Sequence, residues 1–159
     1  MVELVAKNLS ISHDNVEVVH SASFTVASGE LVALLGSNGA GKSTLIRTCV
    51  GLQAAHSGTA FINGDNAHKL SAQQRAKQLA YLPQVRPLAW PNRVEDVVAL
   101  GRFSFGAAPA TLTGDDALAV DKAIESCGLS GLRQRATDTL SGGELARVHC
   151  ARALSLIHI

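Results

Sequence analysis

The chain of 159 residues carries almost no excess charge: 14 Lys and Arg against 13 Asp and Glu leave a formal +1. That balance excludes a general field able to gather nucleic acid or anionic lipid, so any phosphate chemistry must come from a local site. No run approaches the ~20 apolar residues that span a bilayer. Met1 to Ser10 lacks the basic start and apolar stretch of a secretory leader. Work at a membrane would therefore require docking on another subunit. Cysteine is scarce: Cys49, Cys127 and Cys150 are odd in number and widely spaced, with no CxxC and no histidines at metal spacing. A disulfide framework and a zinc site are excluded, and reduced, buried thiols in a cytoplasmic setting are expected. Repeats, low-complexity tracts and linker-like stretches are missing too, which leaves one continuous unit.

What is present is a globular composition, with 47% apolar and 17% charged residues, long enough for one packed domain or part of one. Val2 to Lys7 and Glu17 to Val26 read as an antiparallel pair of strands. Leu31 to Leu35 is an uninterrupted apolar run ending at Gly36, the pattern of a strand buried on both faces of a sheet. Lys42 to Gly51 has helical spacing at Leu45, Ile46 and Val50, with Gly51 as its stop. Ser71 and Gln74 stand in capping-box register before a helix to Gln78, and Leu79 to Leu82 reads as a second buried strand ending at Pro83. Thr113 and Asp116 form a further capping box, opening a helix that Gly128 terminates. Strands followed by helices place the chain in the α/β class, with a helical insert over about residues 90–140.

Gly36-Ser37-Asn38-Gly39-Ala40-Gly41-Lys42-Ser43-Thr44 matches the phosphate-loop pattern GxxxxGK[ST] between a predicted strand and a predicted helix, the context that gives the pattern meaning. Glycines let backbone N–H groups turn inward around an anion, and the following helix aims its positive end at the same place. Lys42 is expected to bridge the β- and γ-phosphates, Ser43 to ligate Mg2+, and Thr44 to sit on the α-phosphate side. This loop alone leaves GTPases, kinases, helicases and transport ATPases open.

Leu140-Ser141-Gly142-Gly143-Glu144, about a hundred residues further on, narrows the choice. Ser141 and Glu144 make a capping box, and two glycines permit close approach to a helix N-terminus, so the segment reads as a second anion site. This pentapeptide is the signature sequence of the ABC ATPases, and with the phosphate loop in this order the chain resembles that family from about Val2 to Leu154. The resemblance implies a P-loop NTPase of the ABC type: a RecA-like sheet core, an N-terminal antiparallel β subdomain and the helical insert. It implies ATP and Mg2+ as ligands, with Gly36, Asn38, Gly39, Ala40, Gly41, Lys42, Ser43 and Thr44 holding nucleotide. Ser141, Gly142, Gly143 and Glu144 would serve the nucleotide of a second subunit. Tyr81-Leu82-Pro83-Gln84 looks like the family's Q-loop, so Gln84 would reach magnesium and the attacking water. His13 falls where the family places an aromatic residue that stacks on adenine; an ordinary turn histidine beside Asp14 and Asn15 is equally consistent.

Val94-Glu95-Asp96-Val97-Val98-Ala99-Leu100-Gly101-Arg102 is similar to the branch that imports iron–siderophore complexes, haem and cobalamin. By that resemblance Val85 to Phe105 is the surface that receives transmembrane permease subunits, with Trp90, Phe103 and Phe105 as contact anchors or as packing within the helical subdomain. The implied assembly is a two-fold homodimer at the cytoplasmic face of the plasma membrane, with a periplasmic binding protein as an indirect partner and no nucleic acid. In the family pattern an apolar strand ending in aspartate and glutamate follows the signature helix, then a further loop and a histidine. Here Ser155-Leu156-Ile157-His158-Ile159 follows instead, and His158 does not match that histidine. The expectation is a single incomplete ATP-binding domain over 1–159, truncated or misread after Leu154, that binds magnesium-ATP and hydrolyses it very slowly. An unpaired edge beside Leu31 to Leu35 would make it poorly soluble. A soluble ABC ATPase without a membrane partner and a catalytically dead nucleotide-binding fragment are the competing readings.

Overall fold

A computed structural model describes residues 3–13, 16–84, 88, 91–107 and 111–156. They fall into two compact units, Met1–Gln78 and Leu79–Ile159.

In the first unit, strands β1 (Leu4–His13) and β2 (Val16–Val26) form the expected antiparallel hairpin, and β1 runs well past Lys7. Strand β3 (Ser57–Ile62) pairs with the other edge of β1 and with the short β4 (Asp65–Asn66), giving the order β2-β1-β3-β4. The register slips between Ala6 and Leu9. There Asn8 takes a φ of 49° and its N–H is met by the Ser23 hydroxyl at 2.8 Å. A bulge that would orphan a backbone donor is thus satisfied by a side chain. Residues two apart share a sheet face, so Leu9 and Ile11 of β1 and Ala60 and Ile62 of β3 build the core. Helix α1 (Lys42–Cys49) covers this face with Thr48 and Cys49 buried. It ends as predicted: Gly51 has φ 73°, Gly51 N–H donates to the Thr48 carbonyl and Leu52 N–H to the Arg47 carbonyl. Helix α2 (Ala72–Gln78) opens on the predicted box, with Ser71 N–H donating to Gln74 Oε1 at 2.9 Å and Gln74 N–H to Ser71 Oγ at 3.2 Å.

The second unit is helical. It contains α3 (Val94–Ala99), a 3-10 helix (Leu100–Phe105), α4 (Gly114–Ser126) and α5 (Gly142–Leu156). Apolar residues at helical spacing, among them Val94, Val97, Val98, Ile124 and Val148, make one buried cluster with Leu129. Gly128, at φ 63°, stops α4 as expected.

Three expectations are corrected. Leu31 to Leu35 and Leu79 to Leu82 lie outside every strand. A parallel strand exists only through ladder bonds to neighbours, and no described strand pairs with either run. Leu31 is fully exposed at 100% and Leu35 at 87%. Thr113 does precede α4 in extended conformation but makes no side-chain cap. Asp116, the other half of that box, instead takes the Nε of the buried Arg102 at 2.7 Å, a charge-assisted bond stronger than a neutral cap. The thiols differ from one another as well: Cys49 is buried, Cys127 half-buried and Cys150 exposed. Burial pushes the Cys49 thiol up to about 11.

Candidate functional site

The glycine-rich loop occupies the first unit between β2 and α1. Gly39 and Gly41 adopt φ values of 84° and 77°, which only glycine adopts at little cost. Gly41 is the cap of α1, and a Cβ on it would stand 2.9 Å from the Val18 carbonyl oxygen and 3.0 Å from Val19 Cγ2. The loop is therefore seated directly on β2. Spacing gave no signal for that support from Val18 and Val19. Because Gly41 offers no side-chain acceptor, the N–H groups of Lys42, Ser43 and Thr44 in the first turn remain for an external anion. The Lys42 ammonium folds back across the loop, donating to the carbonyls of Gly36 at 2.8 Å and Ser37 at 2.6 Å. The Ser43 side chain is exposed beside it, and Thr44 is half-buried. Gly36, Asn38, Gly39 and Ala40 are exposed, and Ala40 N–H donates to the Ser37 carbonyl at 3.3 Å. A cation laid across the loop, helix N–H groups without a side-chain cap and an exposed hydroxyl fit a nucleotide's phosphates and their divalent cation.

His13 ends β1 and pairs with Val16 across the hairpin. Its backbone thus sits in the first unit.

Gln84 and the signature segment belong to the second unit. Gln84 is exposed, after a run that is not a strand. Ser141 precedes α5, and its box with Glu144 is complete. Glu144 N–H donates to Ser141 Oγ at 3.3 Å, while Glu144 Oε2 accepts from both the N–H and the hydroxyl of Ser141 at 2.7 Å. These bonds hold the Glu144 carboxyl below the usual range, the Ser141 backbone N–H contributing most. A Cβ on Gly142 or Gly143 would meet nothing within 4 Å, so the backbone there is open to close approach by a ligand.

Of the expected docking surface, Val94, Val97 and Val98 are core residues. Phe103 is exposed, and Phe105 lies under the Arg102 guanidinium, 4.0 Å from carbon to ring centroid. Val85 and Trp90 lie outside the described residues. No helix among the described residues is long and apolar enough to cross a membrane.

Residues 19–157 match the family model described as ABC transporter. The hemin import ATP-binding protein HmuV of Bordetella pertussis is 40% identical over 155 residues, covering 98% of this chain and 58% of that protein. The iron(3+)-hydroxamate import ATP-binding protein FhuC of Bacillus subtilis is 31% identical over the same shares. The chain thus spans a little under three fifths of these curated relatives. Among solved structures, an ATP-binding subunit of an ABC transporter superposes with a TM-score of 0.81 at 27% identity, over 96% of this chain and 62% of that one. A nucleotide-free ATP-binding cassette gives 0.82 at 22% identity, over 98% and 66%, a likeness of fold. Glycine-fronted loop, capped signature helix and matches across nearly the whole sequence agree: the chain belongs to the ABC transporter family.

Proposed function

We propose that this chain is the ATP-binding part of an importer for an iron chelate, haem or cobalamin, coupling ATP binding and hydrolysis to transport. The reading is supported by relatives named for hemin and iron-hydroxamate import. The single observation that carries it is the Lys42 ammonium lying over a loop whose helix N–H groups have no side-chain cap.

Gly36, Asn38, Gly39, Ala40 and Gly41 shape the phosphate cradle, and Lys42 exchanges its two carbonyl partners for phosphate oxygens. Ser43 would hold the magnesium that neutralises phosphate oxygens. Gln84, a neutral amide, would orient a water without competing for its proton. Thr44 contacts the α-phosphate side, and His13 stacks on the base. Ser141, Gly142 and Gly143 present the α5 N-terminus to the γ-phosphate held by a second subunit, in a two-fold dimer, with Glu144 fixing that turn. Permease subunits dock near Phe103, and the protein works at the cytoplasmic face of the membrane.

The test is equilibrium binding of magnesium-ATP to the wild-type chain and to Lys42→Ala. Removing the charge-assisted bonds should weaken binding by about tenfold or more. Equal affinities would overturn the reading.

A further inference from the structure

Within the first unit, the end of α1 and the turn after β4 meet around a cavity. The two backbones touch: a Cβ on Gly51 would overlap the Ala67 carbonyl. Bonds within each wall hold its shape. Ala67 N–H donates to the Ala60 carbonyl at 2.9 Å, Lys69 N–H to the Asn66 carbonyl at 3.0 Å and His68 N–H to Asn66 Oδ1 at 3.1 Å. On the opposite side His56 N–H donates to the Ser10 carbonyl at 2.8 Å, which ties the loop after α1 to β1. The cavity so framed has a volume of about 160 Å³. That is room for about five water molecules, the bulk of a phosphate group rather than of a nucleoside.

The lining is largely polar, and no carboxylate belongs to it among the described residues. Leu9 and Ala60 supply apolar wall, while Thr48, Gln53, Asn66 and Lys69 supply polar groups. Thr48 is the buried one of these, at 4% exposure, and its Oγ1 has no hydrogen-bond partner among the described residues. A buried hydroxyl left unmet is costly, so a ligand that accepts its proton is favoured here. Asn66 Oδ1 is already taken by the His68 N–H, which leaves the donor Nδ2 as the remaining polar group of that side chain. Lys69 adds a positive charge. Donors and a cation, with no carboxylate to compete, select an oxyanion.

We propose that this cavity binds a phosphate group, free or carried on a small alcohol, through Thr48, Asn66 and Lys69. It is a second anion site, separate from the phosphate loop. Lys42 and Ser43 open α1, whereas Thr48 lies in its last turn, about 9 Å further along the axis than Lys42 at the usual rise per residue. Occupancy here does not require nucleotide in the loop. A phosphate held by Thr48 and Lys69 ties the end of α1 to the 66–69 turn, and so braces the helix whose other end carries the loop.

The experiment titrates the nucleotide-free chain with inorganic phosphate, and in a second arm with glycerol phosphate, following amide chemical shifts residue by residue. Potassium chloride at matched ionic strength is the control. Amides of residues 58–59 and 66–69 should shift and saturate with a dissociation constant on the order of 1 mM in at least one arm, and the arm that binds more tightly identifies the source of the phosphate group. Thr48→Val and Lys69→Met should each weaken that response by about tenfold. Lys69 is exposed, so its replacement keeps the test decisive if the buried variant does not fold. Phosphate also reaches the loop, which amides of residues 36–44 report separately. Lys42→Ala should remove the loop response and leave the second one intact. Loss of both together would make the second an echo of the first and overturn the proposal, as would silence at 58–59 and 66–69 in both arms or an equal response to chloride. A silent loop beside a responding cavity would count against the nucleotide reading alone.

Discussion

Glu144 Oε2 accepts two bonds from one residue, the backbone N–H and the hydroxyl of Ser141, each at 2.7 Å. The carboxylate thereby locks the turn that presents Gly142 and Gly143. Its pKa is lowered in the folded state, first by the backbone bond and then by the hydroxyl. A depressed carboxyl stabilises the fold at pH above its ordinary range, and that contribution is lost as pH falls through the depressed value. Acidification should fray the first turn of α5. In Glu144→Gln, which keeps an acceptor but cannot titrate there, amide exchange at residues 142–145 should be flat over the same acid range. Identical acid profiles in the two proteins would refute the link.

Gly58, at the start of β3, has φ 79°, and a Cβ on it would stand 2.1 Å from the Asn8 carbonyl oxygen and 2.5 Å from that of Lys7. Both obstacles are backbone of the bulged strand β1, so neither can swing aside. Gly58→Ala should destabilise the first unit by roughly 2 kcal/mol or more, through steric clash and left-handed strain together. Denaturant unfolding measures it. Gly64→Ala is the contrasting variant: φ is 86° there but nothing lies within 4 Å, so only the strain remains. Equal losses at the two positions would show that close approach contributes nothing.

The contrast between these glycines shows what the sequence makes legible. The stops at Gly51 and Gly128 and the boxes at Ser71 and Ser141 are local: each is set by a few neighbouring residues, and each is where the pattern puts it. Leu31 to Leu35 reads as a strand because of its apolar run, but a strand is a relation between segments, and no described partner makes it one. Thr113 and Asp116 fail for a related reason. Their spacing suits a cap, but Arg102, close by in space, outbids a backbone N–H for the carboxylate. The cap that α3 receives from carbonyls about forty positions along the chain has no local signature at all. Long-range partners, invisible to periodicity, decide where these side chains go.

Arg102 is the strongest case of such a partner. Its side chain is buried, with 1% of the residue exposed. Nε pairs with Asp116, and Nη1 donates to the Ser155 carbonyl, both at 2.7 Å. The guanidinium thus neutralises a carboxylate of α4 and caps the negative C-terminal end of α5. Gly101 permits this approach, since a Cβ on it would lie 2.2 Å from Ser155 Oγ. Arg102→Ala removes the cation and leaves both acceptors without it, which should cost about 3 kcal/mol of stability in the second unit. Asp116→Asn keeps a hydrogen-bond acceptor for Nε at a partly exposed position and should cost less. Thermal unfolding of the two variants beside wild type separates these cases. A larger loss for Asp116→Asn would show that the carboxylate, and not the cap on α5, is what Arg102 is buried to serve.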